Sequence, residues 1–211
     1  MRQTMRRAFA LVELLAVIAI LAILYALAFP MAKAALGAAT GQRARMAMGQ
    51  LAAATGLYMQ DADDRYPIAM SFDGVYLRTW FGLRKGDREF DCSGGYLSPY
   101  LKGKAPKDPV YAGWPYLGDG SGFGYNWGTI GSDMHLSGDY RTFPNCVNPA
   151  HGTELSDPFS TVLFATSAVC SVPWRGGDGR TYDFGFVDPP FFWNGNPNMD
   201  FRHGGTPVVD A

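Results

Sequence analysis

Glu13 is the only acidic residue among the first 60, and it stands inside an apolar run that begins at Phe9. A carboxylate near mid-bilayer depth costs roughly 2.5–3.5 kcal/mol, less towards an interface, so an acid in such a run calls for a cationic partner. The other candidates for chemistry follow residue 60. Asp61, Asp63 and Asp64 supply the oxygen ligands that Ca²⁺ prefers, but without the glycine and distant glutamate of an EF-hand loop. Their default reading is a solvated helix exit, with calcium in the head as the one metal to be considered and no other cofactor expected. His135, His151 and His203 are too scattered for zinc-ligand spacing, and neither Gly-x-Ser-x-Gly nor His-Glu-x-x-His occurs. No catalytic residue is assigned, and an enzyme is not expected. Gly118–Gly124 has the glycines of a phosphate loop but lacks its Lys-Ser/Thr, so it reads as a flexible loop. The five tryptophans and their tyrosine neighbours read mainly as core, and any exposed aromatic patch would be the pointer to an adhesive or sugar-stacking role.

The elements that must position these groups divide into two unlike stretches. Residues 1–60 carry six Lys/Arg against Glu13, whereas residues 61–211 carry 12 Lys/Arg against 18 Asp/Glu. An acidic head has no bulk attraction for a phosphate backbone, so nucleic acid is not an expected partner. The head also holds 22 of the 26 glycines and 13 of the 14 prolines, a composition that would suggest disorder were it not joined by 26 Phe, Tyr and Trp. So many rings bury enough surface to offset chain entropy, which points to a compact, loop-rich domain. Collagen, coiled coil and multi-pass membrane protein are excluded.

The run over residues 9–32 is long enough, at 1.5 Å per residue, to span the hydrocarbon core. Arg2, Arg6 and Arg7 precede it without any acid, which places the leader in the cytoplasm and everything after Lys33 outside it. Two plain readings fit these residues. One is a secretory signal cut after Ala26-Leu27-Ala28 to release a chain starting at Phe29, and the other is an uncleaved single-pass anchor. Neither has a use for Glu13. Beyond Pro30, Ala44, Ala47, Met48, Leu51, Ala54 and Tyr58 recur at helical spacing, while Gly37, Gly41 and Gly49 predict local loss of helix. A single helix over residues 9–60 would be about 78 Å long, more than one domain needs and suited to bundling with identical rods. Small residues, including Gly37-x-x-x-Gly41, would let such rods approach closely. In the head, strands are predicted at Val75–Phe81, Thr161–Thr166, Tyr182–Val187 and Pro207–Val209, with a Gly/Pro/Asp-rich loop over Lys102–Gly124. Cys92, Cys146 and Cys170 all fall outside the cytoplasm, where disulfides persist. Of the three pairings, Cys146–Cys170 is favoured because its closure would constrain the Pro- and Asp-containing segment between them.

Ala8-Phe9-Ala10-Leu11-Val12-Glu13-Leu14-Leu15 resembles the prepilin leader junction of type IV pilins and type II secretion pseudopilins. The resemblance implies cleavage between Ala8 and Phe9 by prepilin peptidase, N-methylation of Phe9, and Glu13 as the fifth mature residue. Ala8 replaces the more usual Gly, and Pro30 stands where such pilins often carry a helix-kinking proline. Head segments match one branch of the family in order. They are Tyr58–Pro67, Leu97–Lys102 with Lys107-Asp108-Pro109, Gly124-Tyr125-Asn126, Ser160–Ala165 and Phe201–Gly205. That branch ends in His, nine residues and Asp-Gly. Counted from His203 the Asp falls two positions past Ala211, so the chain either lacks the last strand or is truncated.

The implied fold is α+β and pilin-like: a long N-terminal transmembrane and amphipathic helix packed on a small antiparallel sheet in a loop-rich head. Residues 1–8 would be the cytoplasmic leader, 9–32 the transmembrane polymerisation helix, 33–60 its amphipathic continuation and 61–211 the extracytoplasmic head. The implied function is a filament subunit held in the bacterial inner membrane before assembly, N-terminus inside. Its partners would be copies of itself or related pilins, the prepilin peptidase, the inner-membrane assembly machinery and the membrane. The rival reading is a single-pass anchored binding protein or adhesin that does not polymerise. Pilus, secretion pseudopilus and DNA-uptake machine stay open as settings. Intact mass and N-terminal sequencing of the protein recovered from membranes should give N-methyl-Phe9. A start at Phe29 would establish the secretory reading instead, and Met1 the plain anchor.

Overall fold

The computed structural model describes residues 11–111, 113–115, 121–137, 148–170, 181–188 and 199. Two compact units divide the chain, Met1–Thr40 and Gly41–Ala211, and helix α1 (Leu11–Asp61) contributes to both.

In the first unit every described residue is helical, and residues 11–39 are all exposed. Leu and Ala dominate this stretch, and both are strong helix formers. The helix continues through Pro30, although the proline has no N–H to offer the Ala26 carbonyl. Thr40 turns its hydroxyl back onto the helix, donating to the Leu36 and Gly37 carbonyls at 3.1 and 2.8 Å. Helix α1 is long and apolar enough to cross a membrane by length and composition. The expected loss of helix near Gly37, Gly41 and Gly49 does not occur, since α1 is helical from Leu11 to Asp61. A penalty of about 1 kcal/mol per glycine is small against the many alanines and leucines around them.

In the second unit α1 buries one stripe. Ala44, Ala47, Met48, Leu51, Ala54 and Thr55 are buried, and Tyr58 packs against the same cluster, as the 3.6-residue period predicted. The head chain then forms nine short strands among the described residues: β1 (Met70–Phe72), β2 (Tyr76–Thr79), β3 (Leu83–Lys85), β4 (Trp114–Pro115), β5 (Phe123–Asn126), β6 (Phe164–Thr166), β7 (Ala168–Cys170), β8 (Thr181–Asp183) and β9 (Phe186–Val187). A short helix, α2 (Met134–Ser137), lies between β5 and β6. The architecture is α+β, but the single antiparallel sheet expected for the head is replaced by three small ones. Strands β1-β2-β3 form an antiparallel meander, whereas β4-β8-β7 and β6-β5-β9 are mixed, with β4/β8 and β5/β9 parallel.

Other expectations are corrected in the same region. The strand predicted at Thr161–Thr166 begins only at Phe164, because Asp157 closes a turn beneath it: Thr161 Oγ1 donates to the Asp157 carbonyl at 2.7 Å and the Ser160 N–H to its carboxylate at 3.3 Å. Tyr182–Val187 splits into β8 and β9, which belong to different sheets. Phe123 and Gly124, the end of the presumed flexible loop, are buried in β5. Gly124 has to be glycine there, since a Cβ would lie 2.6 Å from the Phe186 carbonyl carbon and oxygen. Pro207–Val209 lies outside the described residues.

The core gathers around Trp80, which is completely buried. Its ring meets Phe81 and Phe164 edge-on, at centroid distances of 5.2 and 5.3 Å, and its indole N–H donates to the Gly185 carbonyl at 2.5 Å. Tyr125, also fully buried, packs at a tilt against Phe164 and donates its hydroxyl to the Pro67 carbonyl at 2.9 Å. Trp80→Phe removes both ring volume and the indole donor, so it should cost about 2–4 kcal/mol in denaturant unfolding of the full chain. A loss below about 0.5 kcal/mol, the range of ordinary surface changes, would remove Trp80 from the centre of this scheme.

Candidate functional site

The outward face of the β1–β3 meander is built by simple alternation. Register pairs Ser71 with Arg78, Tyr76 with Lys85 and Arg78 with Leu83. Side chains two apart share a face, so Ser71, Tyr76, Arg78, Leu83 and Lys85 lie on one side while Met70, Leu77 and Thr79 turn inward. Asp73 follows β1 on the same alternation, and Tyr96 closes the far wall. With Ser71, Tyr76, Arg78 and Leu83 they line an open cup of about 260 Å³.

Each polar group in the cup is held from behind. Asp73 Oδ1 accepts from the Tyr76 and Val75 N–H groups at 2.7 and 2.9 Å, and these bonds hold its carboxyl below the usual carboxylate range. The Arg78 Nε–H donates to the Gly94 carbonyl at 2.8 Å, and the guanidinium carbon sits 5.1 Å from the Tyr96 ring centroid. The Ser71 and Tyr96 hydroxyls are 2.7 Å apart. The Lys85 ammonium lies 5.6 Å from the Tyr76 ring centroid. Sequence reasoning missed this group. The alternation within Val75–Phe81 could have put Tyr76 and Arg78 on one face, but Ser71, Asp73 and Tyr96 come from elements it did not identify.

A second polar cluster clasps the exit of α1. Asp63 and Asp64 take left-handed backbone conformations, with φ of 50° and 59°, which short carboxamide and carboxylate side chains tolerate better than most. The turn is tied to the segment around His151: the Tyr66 N–H donates to the Ala150 carbonyl at 3.0 Å and the Gly152 N–H to the Asp64 carbonyl at 2.8 Å. A Cβ on Gly152 would fall 2.5 Å from Asp64 Oδ2, so the two segments approach closely here. Glu154 Oε2 accepts the His151 N–H at 2.7 Å and faces His135 Nε2 at 3.2 Å. His135 Nδ1 in turn lies 2.6 Å from the Ser132 carbonyl. Both ring nitrogens meet acceptors, so only the doubly protonated ring donates to the two at once.

The residues singled out in the sequence are placed as follows. Glu13 lies in the first turn of α1 and is exposed, and Pro30 is inside the helix. Ala8 and Phe9 are outside the described residues, as are Cys146, His203 and the side chain of Cys170. Asp61 accepts from the Tyr100 hydroxyl at 2.8 Å, while Asp64 Oδ2 lies 3.9 Å from His151 Nδ1. Among the described residues no three His, Cys, Asp or Glu converge as a metal site. Compared with family models, curated proteins and solved structures, the chain matches none.

Four exposed carboxylates share one trait: turn hydrogen bonds hold them below their ordinary range. In Glu154 the main cause is the His151 N–H, in Asp73 the Tyr76 N–H, in Asp91 the Ser93 hydroxyl and in Asp157 the Ser160 hydroxyl. A carboxylate depressed in the folded state adds stability above its unfolded pKa, and that stability is lost as pH falls through the folded value. The Tm of the full chain in detergent should therefore fall progressively below about pH 4, and Glu154→Gln should make that limb shallower. A Tm unchanged between neutral pH and about pH 3 would contradict this account.

Proposed function

We propose that this chain is a structural subunit of a type IV pilus-like or type II secretion pseudopilus filament. On this reading prepilin peptidase cuts between Ala8 and Phe9, Phe9 is N-methylated, and the subunit waits in the bacterial inner membrane with its N-terminus inside before assembling through its helix. The observation that carries the reading is Glu13, the single acid in the exposed stretch 11–39 of α1, standing at the fifth position of a prepilin-like junction.

Cleavage would create an α-amine on Phe9 that stays cationic after methylation. A carboxylate in hydrocarbon needs an opposite charge, and the amine of a neighbouring subunit would sit at nearly the same depth. The pairing would draw an incoming subunit into axial register, after which the rods pack along small-residue faces. Support for such packing comes from Gly37, Gly41, Gly49 and Gly56, where an added Cβ would meet nothing within 4 Å. These openings are the kind that close helix–helix approach uses. The partners would then be further copies or related pilins, together with the membrane and its assembly machinery.

Glu13→Leu should still insert and still be cut after Ala8, yet reach the sheared-filament fraction at less than about one-tenth of the parent level, a deficit equivalent to roughly 1.4 kcal/mol per contact. Glu13→Asp, with the charge but less reach, should be intermediate. Parent levels of Glu13→Leu in filaments would show that the carboxylate is not an assembly contact. A parent chain that never enters the sheared fraction would point to the anchored binding protein instead.

A further inference from the structure

We infer that the cup on the outward face of the β1–β3 meander binds a hexopyranose residue of a glycan. Its lining combines a fixed acceptor, a fixed cationic donor and tyrosine rings within one small concavity: Asp73, Arg78, Tyr76 and Tyr96, with Ser71 between them. The volume of about 260 Å³ lies just below the roughly 300–1,000 Å³ of sites for drug-sized ligands, which suits a single ring rather than an extended chain.

The charges select the ligand class. Within the lining Asp73 opposes an anion and Arg78 a cation, while Lys85 stands outside the lining against the Tyr76 ring, so the cup favours a neutral ligand that both donates and accepts hydrogen bonds. Among the described residues Leu83 is the only aliphatic side chain in the lining, too little for a hydrophobic ligand. Vicinal hydroxyls meet these demands. An ionised carboxylate is acceptor-only and takes two O–H donors side by side, while a guanidinium plane donates from several N–H groups. Asp73 spends Oδ1 on the backbone, and Oδ2 faces no donor among the described residues. Arg78 spends Nε on Gly94 and sits over the Tyr96 ring, and its side chain lines the cup with further N–H donors to offer. The Ser71–Tyr96 hydroxyl pair can donate or accept according to the sugar epimer. Tyr76, 39% exposed, offers a ring for the apolar C–H face of the sugar. Because the groups are fixed before binding, little ordering entropy opposes the ligand.

The test is saturation-transfer difference NMR on the full chain in a zwitterionic, sugar-free detergent. The probes are the methyl glycosides of mannose, galactose, glucose and N-acetylglucosamine. At least one should receive saturation with a millimolar Kd. Asp73→Asn keeps an acceptor for the Val75 and Tyr76 N–H groups while removing the charge, and should weaken that glycoside about tenfold. Arg78→Lys should do the same by losing the planar fork. Tyr76→Ala changes an exposed side chain outside the core and supplies an independent reading should either charge variant disturb the fold by circular dichroism; it should also weaken binding at least fivefold. Glu13→Leu should bind like the parent, which separates the cup from filament assembly. Absence of saturation transfer for all four glycosides overturns the proposal, as does transfer that survives unchanged in every folded cup variant.

Discussion

The Gly185 carbonyl is the joint on which the head depends. It accepts the Trp80 indole N–H at 2.5 Å and the Tyr125 backbone N–H at 3.2 Å, so one oxygen binds the residue after β2 to β5 and the approach to β9. Both of its lone pairs are spent inside the core, where an unpaired carbonyl would cost the desolvation of the group. Trp80 extends the joint further, accepting the Leu97 N–H at its own carbonyl at 2.9 Å and donating its backbone N–H to Ala69 at 3.1 Å. Removing the indole therefore loosens more than a ring contact, because it takes a hydrogen bond away from the carbonyl that Tyr125 shares. Phe81 adds a second connection, touching Phe90 and Phe186 at centroid distances of 5.2 and 6.4 Å.

Short strands and abundant glycine are two consequences of packing large rings into a small head. A Cβ at Gly95 would stand 2.4 Å from the Gly82 nitrogen, and one at Gly185 would stand 2.6 Å from Phe81. Backbone must come that close for Trp80, Phe81 and Phe90 to meet without voids, and only glycine allows it. Gly185 lies between β8 and β9, where the chain leaves one sheet for another. Ser167 marks one of these transfers between β6 and β7: its hydroxyl donates to the Phe186 carbonyl at 2.8 Å and its N–H to Gly122 at 3.1 Å. Tyr182–Val187 makes another, pivoting at Phe184-Gly185.

These transfers explain what the sequence disclosed and what it did not. The buried stripe from Ala44 to Tyr58 was legible because a helix repeats every 3.6 residues over several turns. β2 was legible because four residues with apolar flanks carry a readable alternation. β1, β3, β4 and β7 were not, since two or three residues contain no period, and parallel pairings such as β5/β9 join segments about 60 residues apart. Glu13 was conspicuous as the only acidic residue among the first 60, set in an apolar run. The cup was half visible at best. Tyr76 and Arg78 follow from alternation, but Tyr96 reaches the site only because Gly95 lets the chain pass close beneath it.

The cup and the core are also fixed by the same register. On β2, Leu77 packs against the core while Arg78 points outward, and a slip of one residue would exchange them. Such a slip would bury a guanidinium with no acceptor and expose an aliphatic side chain, so the apolar side of the meander enforces the polar one. The turns pin the register at both ends. Gly74 and Gly86 adopt φ of 91° and 55°, and Asp73 Oδ1 holds the first turn through the Val75 and Tyr76 N–H groups. Asp73 thus orders the turn and faces the cup with the same carboxylate. The positions of Ser71, Tyr76 and Arg78 are then set by backbone pairing and by the hydrophobic face beneath them.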